Sequence, residues 1–113
     1  MINSDVFRWS QLWPLIADAF KMPCGSIRPL QLADVMSERN EVWDDICRRN
    51  RLEKRSLDQV ANWGFADATL ERYWDEIFCH NKALKFGFDE WDNSISRFLS
   101  ILEGYQNAKI LPV

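Results

Sequence analysis

The sequence predicts a small, mainly α-helical, multi-helix domain, and three observations carry that expectation. Apolar residues recur at intervals of three and four along most of the chain, the spacing of a helix face. Turn residues cluster between these periodic stretches, at Pro23, Gly25 and Pro29, at Trp63-Gly64-Phe65, and at Gly87. With 113 residues the chain has room for one ordinary domain, so residues 1–113 are read as a single helical domain.

The elements follow in order. Ser10 is positioned to cap a first helix, with Pro14 in its opening turn and Leu12, Ile16, Ala19 and Phe20 on one face. A second helix is expected over about Leu30 to Glu38, burying Leu32, Val35 and Met36. A third is expected over about Glu41 to Arg49, capped by Asn40 and burying Val42, Trp43, Ile46 and Cys47. Ser56 with Gln59 three residues on is a capping-box pattern that opens a short helix. Trp63-Gly64-Phe65 interrupts it, and Asp67 is read as the cap of another short helix ending near Arg72. Residues 73–78 combine strand-favouring Tyr, Trp, Ile and Phe with Asp75 and Glu76, so a short extended segment there stays open beside a helical one. Asn81 to Phe86 reads as helical and stops at Gly87. Trp91, Ile95, Phe98, Leu99, Leu102 and Tyr105 mark the clearest helix. Ile110, Leu111 and Pro112 are read as an extended apolar tail.

Composition excludes several classes. The hydrophobic content of 47% suits a folded globular chain, and a net charge of -3 argues against a general nucleic-acid binder. No apolar run approaches the roughly 20 residues that cross a bilayer, and the first nine residues lack the apolar core of a secretion signal. No membrane or nucleic-acid partner is expected. Cys24, Cys47 and Cys79 are odd in number and widely spaced, which fits a reducing, cytoplasmic setting.

Residues with chemical potential are few. His80 is the one histidine and lacks metal-ligand or triad partners at useful spacing, so it is read as a surface or cap residue. The adjacent pairs Asp44-Asp45 and Asp75-Glu76 cannot converge on one substrate and are read as solvated charges. Arg48, Arg49, Arg51, Lys54 and Arg55 form a basic cluster without interleaved aromatics, read as a solvated loop; phosphate or RNA binding there is the weaker alternative. Gly25, Gly64, Gly87 and Gly104 are too scattered for a Gly-rich phosphate cradle. No catalytic, cofactor-binding or metal residue is therefore expected. Trp63-Gly64-Phe65-Ala66-Asp67 is the best candidate for function: two large aromatics about a glycine suit a loop lining an apolar pocket, and equally a buried corner of the core.

Several segments in order resemble one family: Asn3-Ser4-Asp5-Val6-Phe7-Arg8-Trp9, Trp13-Pro14-Leu15-Ile16-Ala17, Val42-Trp43-Asp44, Trp63-Gly64-Phe65-Ala66-Asp67, Asn81-Lys82-Ala83-Leu84-Lys85-Phe86-Gly87-Phe88 and Ala108-Lys109-Ile110-Leu111-Pro112. The series is similar to the C-terminal region of atypical, extended short-chain dehydrogenase/reductases of the progesterone 5β-reductase and iridoid-synthase-like branch. That resemblance implies a helical region that covers the substrate, next to a Rossmann domain that holds NADP and reduces enones by hydride transfer. It implies Trp63 and Phe65 as substrate-pocket residues. It also places the cofactor loop, the catalytic tyrosine and its lysine partner upstream, since neither Tyr73 nor Tyr105 lies in the family's catalytic motif.

The chain alone is thus expected to hold no cofactor and to have no reductase activity, as an excised fragment or a truncated reading frame. Its expected partner is the missing Rossmann domain or a second copy in a homodimer, because the six tryptophans and the Ile110-Leu111 tail promise an uncovered apolar face. A free-standing helical protein–protein interaction module is the alternative.

Overall fold

A computed structural model of the chain describes residues 5–113. Among these residues it contains seven α-helices and no strand: α1 (Trp9–Ala19), α2 (Leu32–Ser37), α3 (Asn40–Asn50), α4 (Leu57–Val60), α5 (Trp63–Leu70), α6 (Asn81–Lys85) and α7 (Ser94–Asn107). The fold class is the helical one that the periodicity predicts, and residues 73–78 are irregular rather than paired as a strand. Asn3 and Ser4, which open the family-like series, lie outside the described residues. Two compact units emerge. The first joins the described part of Met1–Cys24 to Asp75–Glu103, and the second joins Gly25–Trp74 to Gly104–Val113.

In the first unit, α1 begins at Trp9 rather than after Ser10. The Arg8 backbone N–H donates to the Gln11 side-chain oxygen at 3.0 Å, so the chain enters the helix before the serine hydroxyl is needed. Pro14 accordingly falls in the second turn, where it removes the N–H that would bond to the Ser10 carbonyl. The expected face holds: Leu12 is fully buried, and Ile16, Ala19 and Phe20 are half-buried. His80 stands at the N-cap of α6, as the cap reading has it, but is buried rather than at the surface; its ring lies 5.7 Å from that of Phe88, and Nε2 lies 3.4 Å from the Phe88 carbonyl oxygen. An aromatic neighbour eight residues on gives the ring an apolar bed that sequence spacing does not reveal.

The last helix starts later than expected, leaving Trp91 outside it and exposed. Two side chains set that start. Asn93 Oδ1 accepts the Ser96 N–H at 2.8 Å, and the Asp5 carboxylate accepts both the N–H and the hydroxyl of Ser94, each at 2.7 Å. The Ser94 hydroxyl first, and its backbone N–H second, hold the Asp5 carboxyl below its ordinary value of 3.8. A depressed folded-state pKa stabilises the fold above the unfolded value and loses that contribution as pH falls through the folded one. Thermal stability is therefore expected to drop as pH falls below about 3.8. Asp5→Asn should flatten that part of a Tm-against-pH curve, and superimposable slopes for the two chains would refute the linkage.

In the second unit, α2 half-buries Leu32, Val35 and Met36 as expected. α3 buries Trp43, whose indole N–H donates to the Arg55 carbonyl at 2.7 Å. Val42, expected inside, is exposed, because Trp43 with Ile46 and Cys47 already defines the inward stripe. The Ser56 N–H donates to the Gln59 side-chain oxygen at 3.1 Å, the arm of the capping box by which α4 opens. The apolar tail is not uncovered. Ile110, Leu111 and Pro112 are half-buried, the Glu53 N–H donates to the Lys109 carbonyl at 2.8 Å, and Gln106 Nε2 donates to the Pro112 carbonyl at 2.9 Å.

Four helices end in the same way. After α6, Gly87 (φ 83°) donates to the Leu84 carbonyl at 3.0 Å and Phe88 to that of Ala83 at 3.1 Å, the paired bonds of a Schellman end. The same pair of bonds closes α1, α3 and α7, but around Lys21 (φ 54°), Arg51 (φ 53°) and Lys109 (φ 56°). A side chain in the left-handed region costs about 1 kcal/mol that glycine does not. Arg51→Gly is therefore expected to stabilise the chain by about 0.5–1 kcal/mol in urea titrations, less the entropy a glycine adds to the unfolded chain.

Candidate functional site

The Trp63-Gly64-Phe65-Ala66-Asp67 segment is not a loop around a flexible glycine; it is the first part of α5. Asn62 caps the helix by accepting the Phe65 N–H at 2.9 Å, and Gly64 lies within helical backbone. Asp67 does not cap its own helix. It is buried in the middle of α5, and its carboxylate accepts the Leu32 N–H at 2.6 Å and the Ala33 N–H at 2.9 Å, the first donors of α2. One carboxylate thereby satisfies two orphan donors and meets the positive end of the α2 dipole. The Gln31 side-chain amide donates to Glu71 and adds a second polar tie between these elements, which pack on each other.

Beside this junction lies an open cavity of about 370 Å³, bordered by Ala33, Ser37, Asp58, Ala61, Asn62, Trp63 and Gly64. Trp63 is half-buried, and its indole N–H is buried with no hydrogen-bond partner. A neutral donor left without an acceptor costs on the order of 1–3 kcal/mol, and Trp63 holds the one such buried side-chain donor among the described residues. Phe65 is 69% exposed and does not border the cavity. Two positions apart on a helix, the two side chains leave in directions about 200° apart. The structure therefore places the two expected pocket residues on opposite flanks of α5.

Several of the remaining charged candidates are already paired. Asp45 pairs with Arg48 and, at 2.6 Å, with Arg49; Glu53 pairs with Arg55 at 2.8 Å; Asp75 pairs with Arg8 at 3.3 Å. These are exposed pairs that quench local charge and contribute little to stability. Burial, and then the neighbouring Asp44, raise the Cys47 thiol above its ordinary range, which makes it a poor nucleophile. Cys24 and Cys79 are exposed, and no disulfide joins the described cysteines. No cluster of three potential metal ligands occurs among the described residues, and no helix among them is long and apolar enough to cross a membrane. Sequence reasoning misses what Asp67 and Asp5 do: each acts on a helix more than thirty positions away, and no spacing rule reaches that far.

Many large apolar side chains among the described residues are exposed. Trp9, Trp13, Phe65, Tyr73, Trp74, Phe78, Phe86 and Trp91 are all exposed.

The described residues thus define a helical region with a cavity beside the α2–α5 junction and many exposed aromatic side chains. No family model matches the chain. Individual relatives do. The chain is 34% identical to an (S)-8-oxocitronellyl enol synthase of Nepeta racemosa and 31% identical to a 3-oxo-Delta(4,5)-steroid 5-beta-reductase of Arabidopsis thaliana; each match covers 97% of this chain. An (S)-8-oxocitronellyl enol synthase of Catharanthus roseus is 29% identical over the same share. The chain spans only 29% of the length of each of these relatives. It matches the C-terminal part of the iridoid-synthase-like and progesterone 5β-reductase family.

Proposed function

We propose that this chain acts as the C-terminal, substrate-covering region of an NAD(P)H-dependent enone reductase of that family, and that by itself it neither holds the coenzyme nor turns over a substrate. The observation that carries this reading is the match of 97% of the chain to 29% of the relatives' length. The use of the glycines supports it: Gly64 and Gly104 lie inside helices and Gly87 ends one, so none of these three belongs to a phosphate-cradling loop. The uncovered aromatic surface supports it too, because a region that completes a larger protein leaves its contact face apolar. Within this reading Phe65, standing free of α5, is the side chain that meets substrate, and Trp63 shapes the wall behind it. The partner is a Rossmann domain, and a second copy of the chain takes its place when that domain is absent.

The test has two arms. The chain alone is expected to show no saturable NADPH binding by calorimetry. Joined in place of the matched region of the Nepeta racemosa enzyme, it is expected to support NADPH-dependent reduction of an enone such as a 3-oxo-Δ4,5-steroid, and Phe65→Ala should lower kcat/KM by about tenfold or more. NADPH binding by the isolated chain, or a folded hybrid inert toward every enone offered, would overturn the reading.

A further inference from the structure

We propose that the flank of α1 bearing Trp9 and Trp13, with Phe7 beside it, is the seat of the polypeptide that precedes the matched region in the relatives. The inference rests on the reading above for its partner, but its evidence is the helix itself.

A helix that faces one core needs an apolar stripe roughly 100° wide. At 100° per residue, the apolar side chains of α1 sweep about 200°, from Leu15 through Leu12, Ile16, Trp9 and Trp13 to Ala17. Pro14 and the polar positions Ser10, Gln11 and Asp18 fill the remaining side. Only part of that arc is used inside the unit. Leu12 is fully buried and Ile16 half-buried, whereas Trp9 and Trp13, four residues apart on one flank, are 39% and 50% exposed. Phe7 meets Trp9 edge to face at 5.9 Å, which extends the flank into an aromatic ridge. No charged group interrupts it, because the one cation at its edge, Arg8, is drawn to Asp75 at 3.3 Å. Paired tryptophans on a rigid helix, free of charge and rimmed by polar groups, have the composition of an interface hot spot.

Connectivity decides the occupant. Because the match takes in 97% of this chain and lies in the C-terminal part of the relatives, the polypeptide that precedes it there joins within the first few residues, less than ten residues before Trp9. A covalently joined segment that close is present at an effective concentration in the millimolar range, about a thousandfold above a second copy at micromolar concentration. An apolar face of the preceding domain therefore takes the ridge before another copy can.

Hydrogen exchange tests this on the free 113-residue chain and on the hybrid with the preceding part of the Nepeta racemosa enzyme. Amides of Trp9–Ala19 are expected to exchange at least about tenfold more slowly in the hybrid. Trp13→Glu should abolish the slowing, while Val42→Glu, on the exposed side of α3, should leave it intact. Trp13→Leu keeps an apolar residue and should lose only part of the slowing, which covers the case in which the glutamate unfolds α1; circular dichroism of the free variants identifies that case. Equal exchange of α1 in the free chain and in a hybrid that reduces enones would overturn the inference and leave the proposed function standing. Slowed α1 exchange in an inert hybrid would uphold the docking and sink the function. Protection of α1 that grows with concentration of the free chain and is not increased in the hybrid would assign the ridge to a second copy, and so overturn the proposal as well.

Discussion

Asp67→Ala is expected to destabilise the chain by about 2–4 kcal/mol, and α2 is expected to melt before the rest of its unit. The carboxylate is buried and accepts two backbone N–H groups of α2, at 2.6 and 2.9 Å. Hydrogen bonds to a charged acceptor contribute about 1.5–3 kcal/mol each, and their loss strands donors at a packed junction. α2 is six residues long and cannot stand by itself, since helices shorter than about 12 residues are marginal in water. Its N-cap, Gln31, supplies no side-chain cap bond, so Asp67 is the side chain that starts it. Asp67→Asn retains one acceptor oxygen and should lose roughly half as much. Urea titration gives the total, and hydrogen exchange at Val35 and Met36 locates it. A loss below about 0.5 kcal/mol would mean that water replaces the carboxylate at no cost, contrary to its burial. The effect has a functional side. Ala33 and Ser37 of α2 border the cavity beside Trp63, so loss of the cap should open that wall.

Leu12→Ala should be comparably severe in the first unit, at about 3–5 kcal/mol. Leu12 is the one large side chain among the described residues that is fully buried. Leucine-to-alanine changes at such sites cost the transfer free energy of the deleted carbons plus a term for the cavity left behind. Typical domains are stable by only about 5–15 kcal/mol, and this unit buries little else completely. The other large apolar residues of that face, Ile16 on α1 and Phe20 just after it, are half-buried and cannot collapse far into the space. Leu12→Met, which keeps the volume, should cost below about 1.5 kcal/mol. Urea titration gives the total loss, and hydrogen exchange at the α1 amides reports on that helix directly. A change smaller than about 1 kcal/mol for Leu12→Ala would show that the helix repacks without its inward anchor.

The sequence by itself determined the class of fold and most of the helices. Periodicity is a local property, so Leu12, Ile16 and Phe20 on α1, and Trp43, Ile46 and Cys47 on α3, declare their shared faces without any tertiary knowledge. Gly87 announced the end of α6 for the same reason: the left-handed turn it makes is a property of one residue. Lys21, Arg51 and Lys109 make the same turn and were not legible, because their side chains do not favour it; the hydrogen bonds of the chain around them impose it. The ordered motif series pointed to the family from residues alone, and the relatives bear that out.

Only the tertiary structure decided what the motif residues do. Trp63-Gly64-Phe65-Ala66-Asp67 looks like a turn because a glycine lies between aromatics, yet an Asn62 cap makes it helical. The helix then sends Trp63 toward a cavity, Phe65 into solvent and Asp67 to another helix. Asp5 and Ser94, 89 positions apart, are likewise joined by folding alone. A hydrogen bond across such a separation depends on where two elements come to lie, and composition and spacing hold no record of it. Trp9 and Trp13 stand between the two cases. Their spacing puts them on one flank of the helix, but only the burial of Leu12 beside them shows that the unit's own interior is served by other residues, which leaves the tryptophans exposed.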